Sequence, residues 1–129
     1  MKTPVQQRHA HCSCGALSLI CAGDPVSVSL CHCRECQLRT GSTYGIAAFF
    51  PRENVRIQGR TAAYRRQADS GYAVTQHFCP GCGSTVFWEP ARKPDMIAVA
   101  VGAFADPDFP APGKQVYTEH RHRWVTVPE

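Results

Sequence analysis

Seven of the eight cysteines in this 129-residue chain fall into three tight groups: Cys12 and Cys14, then Cys31, Cys33 and Cys36, then Cys79 and Cys82. Sulfurs one or two residues apart can reach a single ion from one tight turn, and zinc in structural sites takes four ligands in a tetrahedron. Two plus two fills one such site. Cys12, Cys14, Cys79 and Cys82 are therefore expected to hold a structural zinc that staples together segments separated by 64 intervening residues. Gly15, Gly81 and Gly83 let the backbone turn sharply around these sulfurs. Buried structural cysteines are the alternative, and a weak one, because Cys79-Pro80-Gly81-Cys82-Gly83 between strand-like segments is a strong zinc signal.

The remaining group, Cys31, Cys33 and Cys36, leaves a fourth position for water, a substrate thiolate or a side chain, and catalytic zincs keep such a vacancy. Two zinc ions per chain are expected, the second held by three thiolates and readily exchanged. Cys21 is one rival for the fourth position. If the chain forms a hairpin about Asp24, Cys21 and Cys31 are offset by about four residues, or ~13 Å, which is too far for a shared ion. Cys21 is then a buried core cysteine on the face of Leu17 and Leu19. A distant histidine could close the site instead, with His9, His11, His77, His120 and His122 as candidates. His32 lies between two ligands on an extended turn, so its ring should point away from the ion into a supporting or core position.

The elements that position these groups read as mostly β. Ala10–Cys14 enters the first knuckle, and Ala16–Cys21 is expected to pair with Val26–Leu30 across the Gly23-Asp24-Pro25 turn, delivering Cys31 at a strand end. Arg34–Thr40 lacks Gly and Pro and stops at Gly41, which predicts one short helix. Ser42–Phe50, Glu53–Gln58, Thr61–Arg66 and Gly71–Phe78 are strand-like, separated by Pro51, Gly59 and the Asp69-Ser70-Gly71 turn. Ser84–Trp88 follows the second knuckle, and the apolar run Met96–Ala105 reads as a buried strand. Asp106–Gly113 is a stiff surface loop, and Trp124 and Val127 are expected to anchor the tail to the core.

Length is consistent with a single domain over residues 1–129. The opening segment Met1–Arg8 is polar with no signal-peptide stretch behind it, and the longest apolar run is about half of a bilayer span, so a cytoplasmic protein without a membrane partner is expected. In a reducing cytosol clustered thiols point to metal rather than disulfides. The formal charge of +4 counts cysteines as neutral; seven thiolates and two dications remove three charges and leave +1, so a nucleic-acid partner is not expected. Nothing in the sequence bears on oligomeric state.

Taken together, His11-Cys12-Ser13-Cys14-Gly15, Cys31-His32-Cys33-Arg34-Glu35-Cys36-Gln37 with Thr40-Gly41-Ser42, and Phe78-Cys79-Pro80-Gly81-Cys82-Gly83-Ser84 with Phe87-Trp88 resemble the glutathione-dependent formaldehyde-activating enzyme (GFA) family over nearly the whole chain. The resemblance implies a fold of small zinc-stapled β-sheets similar to the mammalian suppressor of Sec four. It also implies structural ligands at Cys12, Cys14, Cys79 and Cys82, and an active site at Cys31, Cys33 and Cys36. The implied activity is that of a carbon–sulfur lyase that joins glutathione or a similar thiol to formaldehyde or another small aldehyde.

On that reading a thiol fills the vacancy, ionises near neutral pH and attacks the aldehyde carbon. Arg34 and Arg39 are expected to pair with substrate carboxylates, with Gln37 and Ser42 flanking the thiol site. Arg65-Arg66 and His120–Arg123 read as exposed charge. The alternative is a non-catalytic zinc module for protein or nucleic acid, for which only the tail, with Arg121, Arg123 and Trp124, has interleaved basic and aromatic residues.

Overall fold

The computed structural model describes residues 6–68 and 70–127. Met1–Val5 of the polar opening segment and Asp69 of the expected turn lie outside them; the flanking chain turns through Ala68 to Tyr72, with Gly71 at φ 88° donating to the Ala68 carbonyl. Strands β1 (Gln7–His11), β2 (Ser18–Ala22) and β5 (Val55–Gln58) form an antiparallel sheet in the order β1-β2-β5. The larger sheet is built from β3 (Ser27–Cys31), β4 (Gly45–Pro51), β6 (Ala62–Gln67), β7 (Ala73–Phe78), β8 (Thr85–Pro90), β9 (Met96–Ala100) and β10 (Lys114–Val116). Its order is β10-β3-β4-β9-β8-β7-β6, antiparallel except for β10 beside β3. The one α-helix among the described residues, α1, spans Arg34–Thr40. The fold is mostly β with one short helix, as the spacing predicts.

The core lies between the two sheets. Period-two alternation turns Leu19 and Cys21 of β2 inward, joined by Ala10 and Leu17, against Ala48, Phe50, Val86, Phe87, Ile97 and Val99 of the large sheet. Each fully buried Leu or Phe contributes about 1.5–3 kcal/mol.

Three expectations change. Ala16–Cys21 and Val26–Leu30 do not pair: β2 lies between β1 and β5, whereas β3 lies between β4 and β10. Both edges of each strand are taken, so the turn at Gly23 (φ 80°) hands the chain from one sheet to the other instead of closing a hairpin. The apolar run Met96–Ala105 is strand only to Ala100, then a 3-10 turn over Val101–Phe104 that rotates Phe104 inward against Phe50 and Phe109, with ring centroids 6.2 and 4.5 Å away. Trp124 is 74% exposed and anchors nothing; a turn in which the Val125 N–H donates to the His122 carbonyl buries Val125 instead, while Val127 is half-buried.

No helix among the described residues is long and apolar enough to cross a membrane.

Candidate metal centres and the adjoining cleft

Two knuckles face each other at the ends of β1 and β7. In each, the first cysteine donates its N–H to a carbonyl five residues on, Cys12 to Leu17 (2.9 Å) and Cys79 to Ser84 (3.0 Å), and a glycine at φ 81° completes the turn. Backbone N–H groups also point at sulfur: Leu17 N–H to Cys12 Sγ and Gly81 N–H to Cys79 Sγ, both 3.3 Å. Such donors stabilise thiolates. The four sulfurs of Cys12, Cys14, Cys79 and Cys82 lie within 4.8 Å of one another. Cys14 Sγ is 3.7 Å from Cys12 Sγ and 3.6 Å from Cys79 Sγ. A tetrahedron with zinc–sulfur bonds of 2.3 Å has edges of about 3.8 Å, so the donor set and its spacing fit zinc.

The sulfurs divide their charge unevenly. The Ser84 hydroxyl and N–H hold the Cys82 thiol down at about 5. The Ala16 N–H pulls Cys14 down, but the sulfurs of Cys79, Cys12 and Cys82 outweigh it and push Cys14 up to about 11. A dication relieves that repulsion.

The second set sits where β3 passes into α1. Cys31 is the last residue of β3, held between Gly45 of β4 and Val116 of β10. Cys33 caps the helix: its sulfur accepts the Cys36 N–H at 3.3 Å. Gly41, at φ 69°, ends the helix by donating to the Gln37 carbonyl. Cys31, Cys33 and Cys36 thus converge within 4.8 Å. The Cys31 and Cys36 thiols hold Cys33 down to about 2, with the Arg66 charge adding to the effect, while Cys33 and Cys36 push Cys31 up. For Cys36, the pull of Cys31 downward is outweighed by Cys33 and burial, and its pKa rises. A cation at this point would relieve the mutual repulsion of the three sulfurs.

No histidine joins either set among the described residues. His11 Nδ1 lies 2.9 Å from the Cys12 carbonyl, and His77 stacks on Phe87 at 4.5 Å. His122 Nε2 donates to Gln37 Oε1, and buried His32 donates from Nε2 to Gln115 Oε1 with its ring against Tyr44. His32 is therefore buried with its ring apart from both sets, within the supporting or core position expected for it. Cys21 is also apart from the cluster and fully buried, though because β2 and β3 belong to different sheets rather than by an offset along a hairpin.

A matching family model, the glutathione-dependent formaldehyde-activating enzyme, covers residues 7–120. The chain belongs to the GFA family. A Halomonas elongata protein named "Putative glutathione-dependent formaldehyde-activating enzyme" is 25% identical over 123 residues, covering 90% of this chain and 78% of the relative. A crystal structure of a Rhodobacter sphaeroides protein shares the fold with a TM-score of 0.58 at 20% identity, over 74% of this chain and 85% of that one. GFA membership supports a GFA-type function.

The four non-cysteine residues expected at the GFA site fare differently. Arg34 and Ser42 are exposed. The Gln37 amide is already engaged, donating to the carbonyls of His32 (2.9 Å) and His120 (3.4 Å), so it ties the tail to the helix. The Arg39 guanidinium lies beside Cys36 and over the Trp88 ring at 4.1 Å. Arg66, read from the sequence as exposed charge, is only 14% exposed and sits 3.8 Å from Glu35 with its charge felt at Cys33. Alternation along β6 sends Arg65 and Arg66 to opposite faces, a signal that was available in the sequence. Trp88 beside Arg39 could not be read that way, since only tertiary packing joins them.

A cleft of about 670 Å³ is lined by Arg39 of α1 and by Cys12 and Cys82 of the four-cysteine set, but by none of Cys31, Cys33 and Cys36. Thr40 and Tyr44 also line it, as do Ser13 and Ser84 of the knuckles, whose hydroxyls are 3.0 Å apart. The 106–113 loop does not line it.

Proposed function

We propose that this protein is a zinc-dependent carbon–sulfur lyase of GFA type, joining glutathione or a similar thiol to formaldehyde or another small aldehyde. The observation that carries this reading is the three-sulfur set of Cys31, Cys33 and Cys36, gathered within 4.8 Å and joined by no fourth donor from the described residues. Zinc held there would act as a Lewis acid, favouring thiolate over thiol at neutral pH. Cys31, Cys33 and Cys36 hold the charge at one place, while Arg39 and Arg66 supply cationic surroundings for an incoming anion. The thiol sulfur adds to the carbonyl carbon, the π pair moves to oxygen, and that oxygen takes up the proton the thiol has lost. The product is a hydroxyalkyl thioether.

Exchange between free formaldehyde and S-hydroxymethylglutathione, followed by carbon-13 NMR, tests this. Exchange well above the uncatalysed rate is expected for wild type and at background for Cys36→Ala. Wild-type exchange at background would refute the reading. The competing reading, a zinc module that binds a partner, draws on Trp124, exposed beside Arg123. It predicts salt-dependent binding of RNA or DNA that Trp124→Ala abolishes.

A further inference from the structure

We propose that β6, an edge strand of the large sheet, is a docking site for an extended polypeptide segment that alternates acidic and apolar residues and adds to the sheet as a further strand. This role does not depend on thiol addition.

An edge strand presents unpaired backbone N–H and C=O groups that a further strand can satisfy. Among the described residues the edges are β1 and β5 in the small sheet and β10 and β6 in the large one. β10 has three residues and β5 four, and β1 packs against the Val101–Phe104 turn. β6 offers the long regular edge: its six residues pair in unbroken register with β7, from Ala62 opposite Phe78 to Gln67 opposite Ala73. It contains neither proline nor bulge, two devices that close other edges to pairing.

The side chains of β6 define what that segment carries. Residues 60–67 include Arg60, Arg65 and Arg66 and no acidic residue. Arg66 turns to one face, where it lies 3.8 Å from Glu35. Arg65 turns to the other, exposed, and continues a cross-strand row with Thr75 of β7 and Glu89 of β8. Glu89 is engaged by Arg52 at 3.3 Å and no carboxylate pairs with Arg65 among the described residues. An acidic residue set beside Arg65 by an added strand completes the row with an opposite-charge pair. A hollow of about 180 Å³, lined by Arg65, Thr75 and Arg52, leaves room for its carboxylate. One residue away, on the opposite face, Tyr64 is 57% exposed in a row with Gln76 and Trp88, and an apolar β-branched neighbour suits it best. A second copy of this chain fits poorly, because antiparallel pairing of β6 with itself about its centre crowds Arg65 and Arg66 of both copies together.

The test uses zinc-loaded full-length protein and a capped peptide of alternating glutamate and valine, matched to β6 in length, followed by calorimetry and nitrogen-15 NMR. Saturable binding is expected, with amide shifts centred on Ala62–Gln67. The same peptide methylated at every backbone nitrogen keeps its charge but cannot pair as a strand, and it should not bind. Arg65→Glu, an exposed change whose fold is checked by circular dichroism, should lose the glutamate peptide and gain a lysine–valine one. Absence of saturable binding by wild type, equal binding of the methylated peptide, shifts centred away from β6, or undiminished binding in folded Arg65→Glu would overturn the proposal. So would a uridine oligonucleotide that displaces the peptide at lower concentration, which marks a nucleic-acid site, or a peptide-free dimer in sedimentation that Arg65→Glu disrupts, which marks a second copy.

Discussion

The Arg39 guanidinium occupies the space that a side chain on residue 45 would need: a Cβ built on Gly45 would lie 2.5 Å from Arg39 Nη2 and 3.4 Å from the Cys36 Cβ. Gly45 pairs with Cys31 across β3 and β4, so one glycine controls the approach of the helix to the strand that carries the first ligand.

Gly45→Ala should therefore displace Arg39 rather than unfold the sheet. The clash falls on the far end of a flexible side chain, so the stability loss should be about 1 kcal/mol, the low end for overpacking. Trp88 fluorescence should change as the guanidinium leaves its face. A variant with unaltered Trp88 emission would show that Arg39 is not held as described.

Metal counting separates the two cysteine sets. Wild type should hold two zinc ions and Cys31→Ala should retain one, with the fold intact by circular dichroism. Cys79→Ala removes a buried ligand from the staple and should destabilise the fold far more than Cys31→Ala does. Unfolding of Cys31→Ala, or a single zinc in fully reduced wild type, would contradict the assignment.

Cys21 ties stability to alkaline pH. Burial pushes its thiol up to about 12 from 9.0. The folded state keeps this proton where the unfolded state releases it, so the contribution is complete below pH 9 and is lost as pH rises toward 12. At pH 10 this one group should cost about 1 kcal/mol. In urea unfolding of zinc-loaded protein, Cys21→Val should lose less stability than wild type between pH 8 and pH 10; parallel losses would exclude Cys21 as the source.

The tail offers a paired test. Trp124→Ala should change stability by no more than about 0.5 kcal/mol, as for a surface substitution, whereas Val125→Ala should cost about 1–2 kcal/mol through lost burial. Thermal melts of the two variants decide between Val125 and Trp124 as the anchor.

Local chemistry was legible in the sequence because its signals are short-range. The knuckles around Cys12 and Cys79, the helix Arg34–Thr40 with its stop at Gly41, and the grouping of Cys31, Cys33 and Cys36 all follow from residues within a turn or two of each other. The two-plus-two pairing was reachable because zinc's coordination number supplies a long-range rule. Strand pairing had no such rule. Alternation says which side of β2 and β3 is apolar but not which strands lie beside them, so the expected hairpin gave way to two sheets. Packing alone decided that Trp88 lies under Arg39, that the charge of Arg66 on β6 is felt at Cys33, and that the four-cysteine knuckles line a cleft. These contacts join residues tens of positions apart, and their energy depends on shape complementarity that appears only once the sheets have closed around the core.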